Sequence, residues 1–304
     1  MDPETRHKMG TQSIQLAKAC GYYSTGTVEF LMDKNKDFYF LEMNTRLQVE
    51  HPITEEISGV DLVEQQLLIA AGHKLNFKQD DIKIHGHSIE YRVYAEDPAR
   101  KFLPSIGFLT KYKEPKTNVP NRRVRIDTGV EEGSEISMFY DPMISKLVSW
   151  GKDRNEAMDI LGHSIDEYVI RGVGHNLGFC KSILANEDFR SGKYTTAFIP
   201  DFYPDGYSGD DLSDKDYNLL SLVAHQIKQQ TAARQNLDSD TYYVSIGELR
   251  GAPKQDFKVH QVSDSEFELT NIETGAAQTH KTSGFNFDYR SLIEMNVDGA
   301  DKLL

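Results

Sequence analysis

The chain has 304 residues, with 34 basic side chains against 47 acidic ones and a formal net charge of −13. That length suits about two domains, and no basic stripe of the kind that tracks a phosphodiester backbone is present, so nucleic acid is excluded as the expected partner. No apolar run approaches the roughly 18 residues of a membrane span, and no membrane partner is expected.

The opening Asp2-Pro3-Glu4 reads as an N-cap with proline at the first helical position, starting a packing helix that Gly21 stops. Met1–Arg6 has neither the charged-then-apolar plan of a secretion signal nor the acid-poor character of a transit peptide. Cys20 and Cys180 lie in separate helix-like segments, which predicts buried free thiols in a reducing compartment instead of a disulfide.

Next come two runs rich in β-branched and aromatic residues, Thr27–Met32 and Phe38–Met43, flanking Lys34-Asn35-Lys36-Asp37 in the pattern of a hairpin. If Asp33 faces Phe38, Glu29 falls opposite Glu42. Like charges across a strand pair repel. The expected faces are otherwise apolar, with Val28, Phe30, Tyr39 and Leu41 on one and Leu31, Phe38 and Phe40 on the other, so the carboxylates are expected to be shielded from bulk water. A cation should then sit between them, and a hard divalent ion with oxygen ligands fits best.

Beyond Glu42 the polar residues recur with period two, as Glu42, Asn44, Arg46, Gln48 and Glu50, and in an extended chain they share one side. A straight strand would spread them over roughly 26 Å at about 3.3 Å per residue. A bend is therefore expected after Asn44, and His51-Pro52 should end the ladder. The competing reading is a solvated strand face with incidental charge alternation.

Asp61 with Glu64 opens a further helix through Leu62, Val63, Leu67 and Ala71 that Gly72 closes. From Ile82 to Gly151 the pattern is β: Ser88–Ala95, Gly107–Lys113, Val124–Asp127 and Ile144–Trp150. Asp153 then caps a helix through Val169, and another runs from about Asn176 to Ala185. Ser208–Asp216 reads as an acidic linker at a domain boundary. A long amphipathic helix through Leu219, Leu222, Val223 and Ile227 follows, and then the strands Tyr242–Ile246, Phe257–Val262, Phe267–Thr270 and Ser291–Val297.

The stretch Gly26–Glu56 resembles, nearly residue for residue, the metal and bicarbonate signature of biotin carboxylases, the ATP-grasp enzymes that carboxylate biotin. Within that family the words Tyr94-Ala-Glu-Asp-Pro, Phe102-Leu-Pro-Ser, Tyr140-Asp-Pro-Met-Ile-Ser-Lys-Leu and Asp201-Phe-Tyr-Pro-Asp-Gly-Tyr resemble propionyl-CoA carboxylase α subunits more than the methylcrotonyl-CoA enzymes. The resemblance implies an α+β fold. Residues 1–80 would be the C-terminal part of the ATP-grasp domain and 81–207 the carboxylase C-terminal subdomain. After the linker, 217–304 would begin a helix-plus-antiparallel, barrel-like domain that joins the subunit to its carboxyltransferase β partner in a mixed α/β oligomer.

The same resemblance implies the chemistry: ATP and bicarbonate form carboxyphosphate, and the CO₂ it releases is captured by N1′ of biotin. Glu29, Glu42 and Asn44 match the ligands of a Mg²⁺ or Mn²⁺ ion bridging ATP phosphates. Arg46, Gln48 and the Val49 backbone match the bicarbonate cradle, and Glu50 matches the base that deprotonates bicarbonate. A salt bridge from Glu50 to Arg46 is the alternative for that carboxylate. Arg125 matches the arginine holding the biotin enolate oxygen, while Arg122 and Arg123 read as a solvated loop pair. His51, a single histidine beside proline at a strand end, reads as an oriented structural residue and is assigned no catalytic role. Tyr140, Asp141 and Lys146 are left out of the site as structural or dimer-forming.

No G-x-G-x-x-G or P-loop pattern and no Ala-Met-Lys-Met biotin-attachment motif occurs in the chain. The sequence is therefore expected to be an internal, by itself inactive, segment of a longer α subunit, with biotin carried on a domain outside it. The expected address is the mitochondrial matrix in a eukaryote or the bacterial cytoplasm. The alternatives are a non-catalytic assembly protein and the α subunit of a methylcrotonyl-CoA or acetyl-CoA enzyme.

Overall fold

Helix α1, Pro3–Ala19, starts where the sequence places it: the Asp2 carboxylate accepts the Thr5 N–H at 2.9 Å, and Gly21 follows the C-cap at φ 64°. It differs from expectation in burying no residue, and Cys20 at its end is exposed. Its apolar residues are few and Ile14 lies off their stripe, which leaves too narrow a face to dock. Cys180 is a buried free thiol, as expected.

The computed structural model describes residues 1–209, 213–233, 239–246, 254–288 and 292–303. These fall into two compact units, one of Met1–Arg92, Thr117–Asp127 and Lys146–Leu161, the other of Val93–Lys116, Thr128–Ser145 and Gly162–Leu304. Among the described residues no helix is long and apolar enough to cross a membrane.

In the first unit, β1 (Thr27–Met32) and β2 (Phe38–Asn44) form a two-stranded antiparallel hairpin. Glu29 does face Glu42, but Met32, not Asp33, faces Phe38. The Asp33 carboxylate instead builds the turn by accepting the N–H groups of Asn35 and Asp37. The two registers are reconciled by a bulge: Phe30 pairs with Phe40 and Glu29 with Glu42, so Leu41 is the extra residue. The bulge also reassigns the faces. Phe38 and Phe40 pack edge-on against Phe30, while Leu31 pairs with Tyr39.

Strand β2 ends at Asn44, and after a bend helix α2 (His51–Ser58) begins with Pro52 in its first turn. Gly59 closes α2 in the left-handed conformation at φ 74°, turning the chain into α3, Leu62–Ala70. Both ends of that turn are fastened. Asp61 accepts the Glu64 N–H at 2.8 Å, and Glu55 reaches from α2 to accept the Leu62 N–H at 2.7 Å. A four-stranded sheet then runs in the order β3 (His87–Tyr94), Met143–Gly151, Arg122–Thr128, Asn118–Val119. Val124, Leu147, Val148, Ala157, Met158 and Leu161 form the core beside it.

In the second unit, Val93, Leu109, Ile170, Leu177, Phe179 and Leu184 are buried. The later part is a six-stranded antiparallel meander in strict chain order from Thr241–Ile246 to Ala300–Leu303, including the unanticipated Ala277–Asp288. The long helix Asp214–Ala233 packs on it through Tyr217, Leu222 and Val223 against Phe257, Val259, Phe267 and Leu269. Asp214 and Asp216, expected in the linker, form the first turn of this helix, because acidic side chains favour a helix N-terminus. The rest of the acidic run, Asp210 and Asp211, and Ser291 of the expected last strand lie outside the described residues.

Candidate functional site

The hairpin brings Glu29, Glu42 and Asn44 together. The Asn44 amide donates to Glu29 Oε1 at 2.8 Å and to Glu42 Oε1 at 3.3 Å, spanning the two carboxylates. Glu29 is half-buried but Glu42 is exposed, contrary to the expected shielding, because the hairpin is a two-stranded sheet whose apolar neighbours Leu31, Tyr39 and Leu41 are themselves exposed. Two carboxylates and an amide form an oxygen-rich donor set, which suits a hard divalent cation. The carboxylates repel each other across the strands, and a cation would relieve that repulsion.

The bend after Asn44 solves the problem of reach. Arg46, Gln48 and Glu50, which a straight strand would separate, line one cavity of 370 Å³ together with Thr25, His51 and Thr54. Arg46 is held by its own turn, donating to the Leu47 carbonyl at 3.2 Å and to Asn44 Oδ1 at 3.4 Å. No carboxylate pairs with it among the described residues, so the guanidinium stands available to an anion. Glu50 does not take Arg46. Its partner is Arg92 on β3, at 2.7 Å. That residue was missed, although Glu90 and Arg92, two apart on a strand, are a legible charged pair on one face.

Arg125, matched from the sequence to the arginine that holds the biotin enolate, is bonded to carboxylates of the protein. Its Nε and Nη2 donate to the two oxygens of Asp127 at 2.7 and 3.1 Å, and Nη1 donates to Glu55 at 2.6 Å. These bonds, Asp127 first, hold its already high pKa higher still against the opposing effect of burial. For Asp127, burial acts to raise the carboxyl pKa, but hydrogen bonds from Arg125 and Lys146 outweigh it and leave the pKa lowered. Arg123 pairs with Glu56 at 2.7 Å and lies over the Trp150 ring, so it is not merely a loop charge.

Lys146 also belongs here, contrary to expectation. It is nearly buried and donates to the Val49 carbonyl at 3.0 Å while pairing with Asp127 at 3.0 Å. The signal was a lysine inside the apolar run Ile144–Trp150, where a charge persists only if paired. Glu90 is buried beside it. Burial raises the Glu90 pKa, the charges of Lys146 and Arg92 oppose the rise, and Oε2 has no hydrogen-bond partner. His51 Nδ1 lies 2.9 Å from the Gln48 carbonyl, an orienting contact.

Two family models match in tandem: the carbamoyl-phosphate synthase L chain ATP-binding domain over residues 1–78 and the biotin carboxylase C-terminal domain over residues 90–201. The mitochondrial propionyl-CoA carboxylase alpha chain of Mus musculus is 44% identical over 311 residues, covering 99% of this chain and 42% of that one. The corresponding alpha chain of Ruegeria pomeroyi is 42% identical, with 100% and 47% coverage. The chain thus spans less than half the length of these relatives. Among solved structures, the biotin carboxylase domain dimer of Hydrogenobacter thermophilus 2-oxoglutarate carboxylase, in complex with MgADP, ADP and bicarbonate, superposes with a TM-score of 0.63 at 41% identity, covering 66% of this chain and 44% of that one. Similarity that extends through both the hairpin region and the strands around Lys146 leaves one assignment: the chain belongs to the biotin carboxylase family.

Proposed function

We propose that this chain carries the metal- and bicarbonate-binding part of an ATP-dependent biotin carboxylase, performing the first half-reaction of propionyl-CoA carboxylase within an α subunit. The observation that carries the reading is the convergence of Arg46, Gln48 and Glu50 on one cavity beside the paired Glu29 and Glu42. In this reading residues 1–80 belong to the ATP-grasp domain, 81–207 to the carboxylase C-terminal subdomain and 217–304 to the domain that meets a carboxyltransferase β subunit. Biotin arrives on a carrier domain. The site of action is the mitochondrial matrix in a eukaryote and the cytoplasm in a bacterium.

Glu29, Glu42 and Asn44 would hold Mg²⁺ or Mn²⁺, which supplies charge neutralisation at the phosphates of ATP. Arg46 presents a planar fork to the planar bicarbonate anion, with Gln48 and the Val49 N–H completing the cradle. Glu50, on the same cavity wall, takes the bicarbonate proton. We assign the enolate-holding role to Arg92 in place of Arg125, since Arg92 already touches Glu50 on the cavity wall while three of the five N–H donors of Arg125 are committed to Asp127 and Glu55.

The test is bicarbonate-dependent ATP cleavage by the whole subunit with free biotin. Arg92→Met should abolish the stimulation by biotin while leaving the KM for ATP in place, and Arg125→Met should leave the biotin stimulation in place. The reverse pattern would restore Arg125 to the role and remove Arg92.

A further inference from the structure

The turn carrying the bicarbonate residues is gripped from behind at two successive carbonyls. The Gln48 oxygen accepts the His51 backbone N–H at 3.2 Å and lies 2.9 Å from His51 Nδ1; because a carbonyl only accepts, Nδ1 carries the hydrogen, and the side chain adds a second, shorter hold. Lys146 Nζ donates to the next oxygen, that of Val49, at 3.0 Å. In a trans peptide the C=O and the following N–H point in opposite directions across one rigid plane. A grip on the Gln48 oxygen therefore aims the Val49 N–H, and a grip on the Val49 oxygen aims the Glu50 N–H. Neither N–H has a partner within the protein among the described residues.

The two grips are also tied to each other. From Lys146 the contacts run to Asp127 at 3.0 Å, from Asp127 to Arg125 at 2.7 Å and from Arg125 to Glu55 at 2.6 Å. Glu55 then lies 3.9 Å from His51 Nε2. The ring starts and ends on the turn 48–51. An ionic cluster serving only the fold would have no need to close on two adjacent peptide planes of a loop that lines a cavity. Resting on the bicarbonate site proposed above, we propose that His51 and Lys146 are positioning residues that hold the Gln48–Val49 and Val49–Glu50 peptide planes with their N–H groups set for the anion.

The experiment measures the KM for bicarbonate and for ATP in the whole subunit carrying His51→Leu, His51→Asn, His51→Gln, Lys146→Met or Lys146→Arg, with Arg46→Ala in parallel. Losing one aimed donor should raise the bicarbonate KM about fivefold, the factor that one hydrogen bond of ordinary net strength represents. The KM for ATP should stay in place. An asparagine amide reaches the Nδ1 position and should rescue; a glutamine amide reaches the Nε2 position and should not. Lys146→Arg should recover part of the loss. An unchanged bicarbonate KM in His51→Leu and Lys146→Met, a joint rise of both constants, or equal behaviour of His51→Asn and His51→Gln would each overturn the proposal. Where His51→Leu or Lys146→Met does not fold, the asparagine and glutamine pair decides. Arg46→Ala separates the two levels: if it too leaves the bicarbonate KM unchanged, the bicarbonate site itself is wrong, and if it alone raises the KM, only the clamp is.

Discussion

Arg125 and Arg92 are two guanidiniums of the same unit with opposite expected consequences when removed. Arg125 makes three bonds to carboxylates, at 2.6, 2.7 and 3.1 Å, and Glu55, one of its partners, is 9% exposed. A hydrogen bond to a charged group nets about 1.5–3 kcal/mol when buried. Since Arg125 is 32% exposed and Asp127 keeps Lys146, we discount the sum of three to about 2–3 kcal/mol for Arg125→Met. The Arg92–Glu50 pair has side chains 38% and 50% exposed, and such pairs contribute about 0–1 kcal/mol. Trp150, the single tryptophan, sits in this unit with its ring N–H bonded to the His85 carbonyl, so its fluorescence reports this unit's unfolding. With an m-value of about 1.5–2 kcal/mol/M, Arg125→Met should lower the urea midpoint by about 1–2 M and Arg92→Met by about 0.7 M or less. Equal midpoints for Arg125→Met and the parent would refute the view that Arg125 is committed to the fold.

At the metal site, Glu42→Gln should weaken metal–ATP binding by the whole subunit in calorimetry, because the amide cannot oppose the cation's charge; unchanged affinity would remove the site. The pH dependence has two signs. Asp127 is lowered in the folded state, so its contribution is present above the unfolded value of about 3.9 and is lost as pH falls through the folded value, and Asp127→Asn should flatten that acid limb of the urea midpoint. Glu90 is raised, so its contribution is present below about 4.3 and is lost as pH rises through the folded value; Glu90→Gln should remove that decline. An unaltered midpoint-against-pH curve in either variant would count against the corresponding assignment.

What the sequence made legible follows physical range. Asp2 and Asp61 act on N–H groups three residues away, and both caps form where local chemistry puts them. The buried strand Met143–Gly151 and the helix Asp214–Ala233 also follow from local periodicity. The facing of Glu29 and Glu42 was reached through a register wrong by one residue at the turn, and only the bulge at Leu41 restores it. A bulge leaves no mark in apolar alternation, because Tyr39-Phe40-Leu41 is apolar at every position. Asp127 lies only two residues from Arg125, within local reach, but the further partners of Glu50, Arg125 and Lys146 lie 42, 70 and 97 residues away in sequence, at Arg92, Glu55 and the Val49 carbonyl. Charge alone cannot choose among so many acids and bases at that distance; the sheet order does.

The period-two series Glu42 to Glu50 therefore does two jobs with one spacing. Up to Asn44 the residues are in a strand, and alternation sets Glu42 and Asn44 on the face that Glu29 shares. Past Asn44 the chain leaves the strand, and alternation no longer defines a face; Arg46, Gln48 and Glu50 converge because the chain curls into α2. The curl has two backbone bonds of its own, from the His51 N–H to the Gln48 carbonyl and from the Ile53 N–H to the Glu50 carbonyl, both at 3.2 Å, and side chains add further holds on its peptide planes. Helix α2 fixes it from one end through His51, and the strand Met143–Gly151 reaches it from the side through Lys146. The residues proposed to meet the anion are contiguous in sequence, and of the two side chains that hold their backbone His51 is their immediate neighbour while Lys146 comes from a strand 97 residues away. A short signature can contain the first of these holders but not the second.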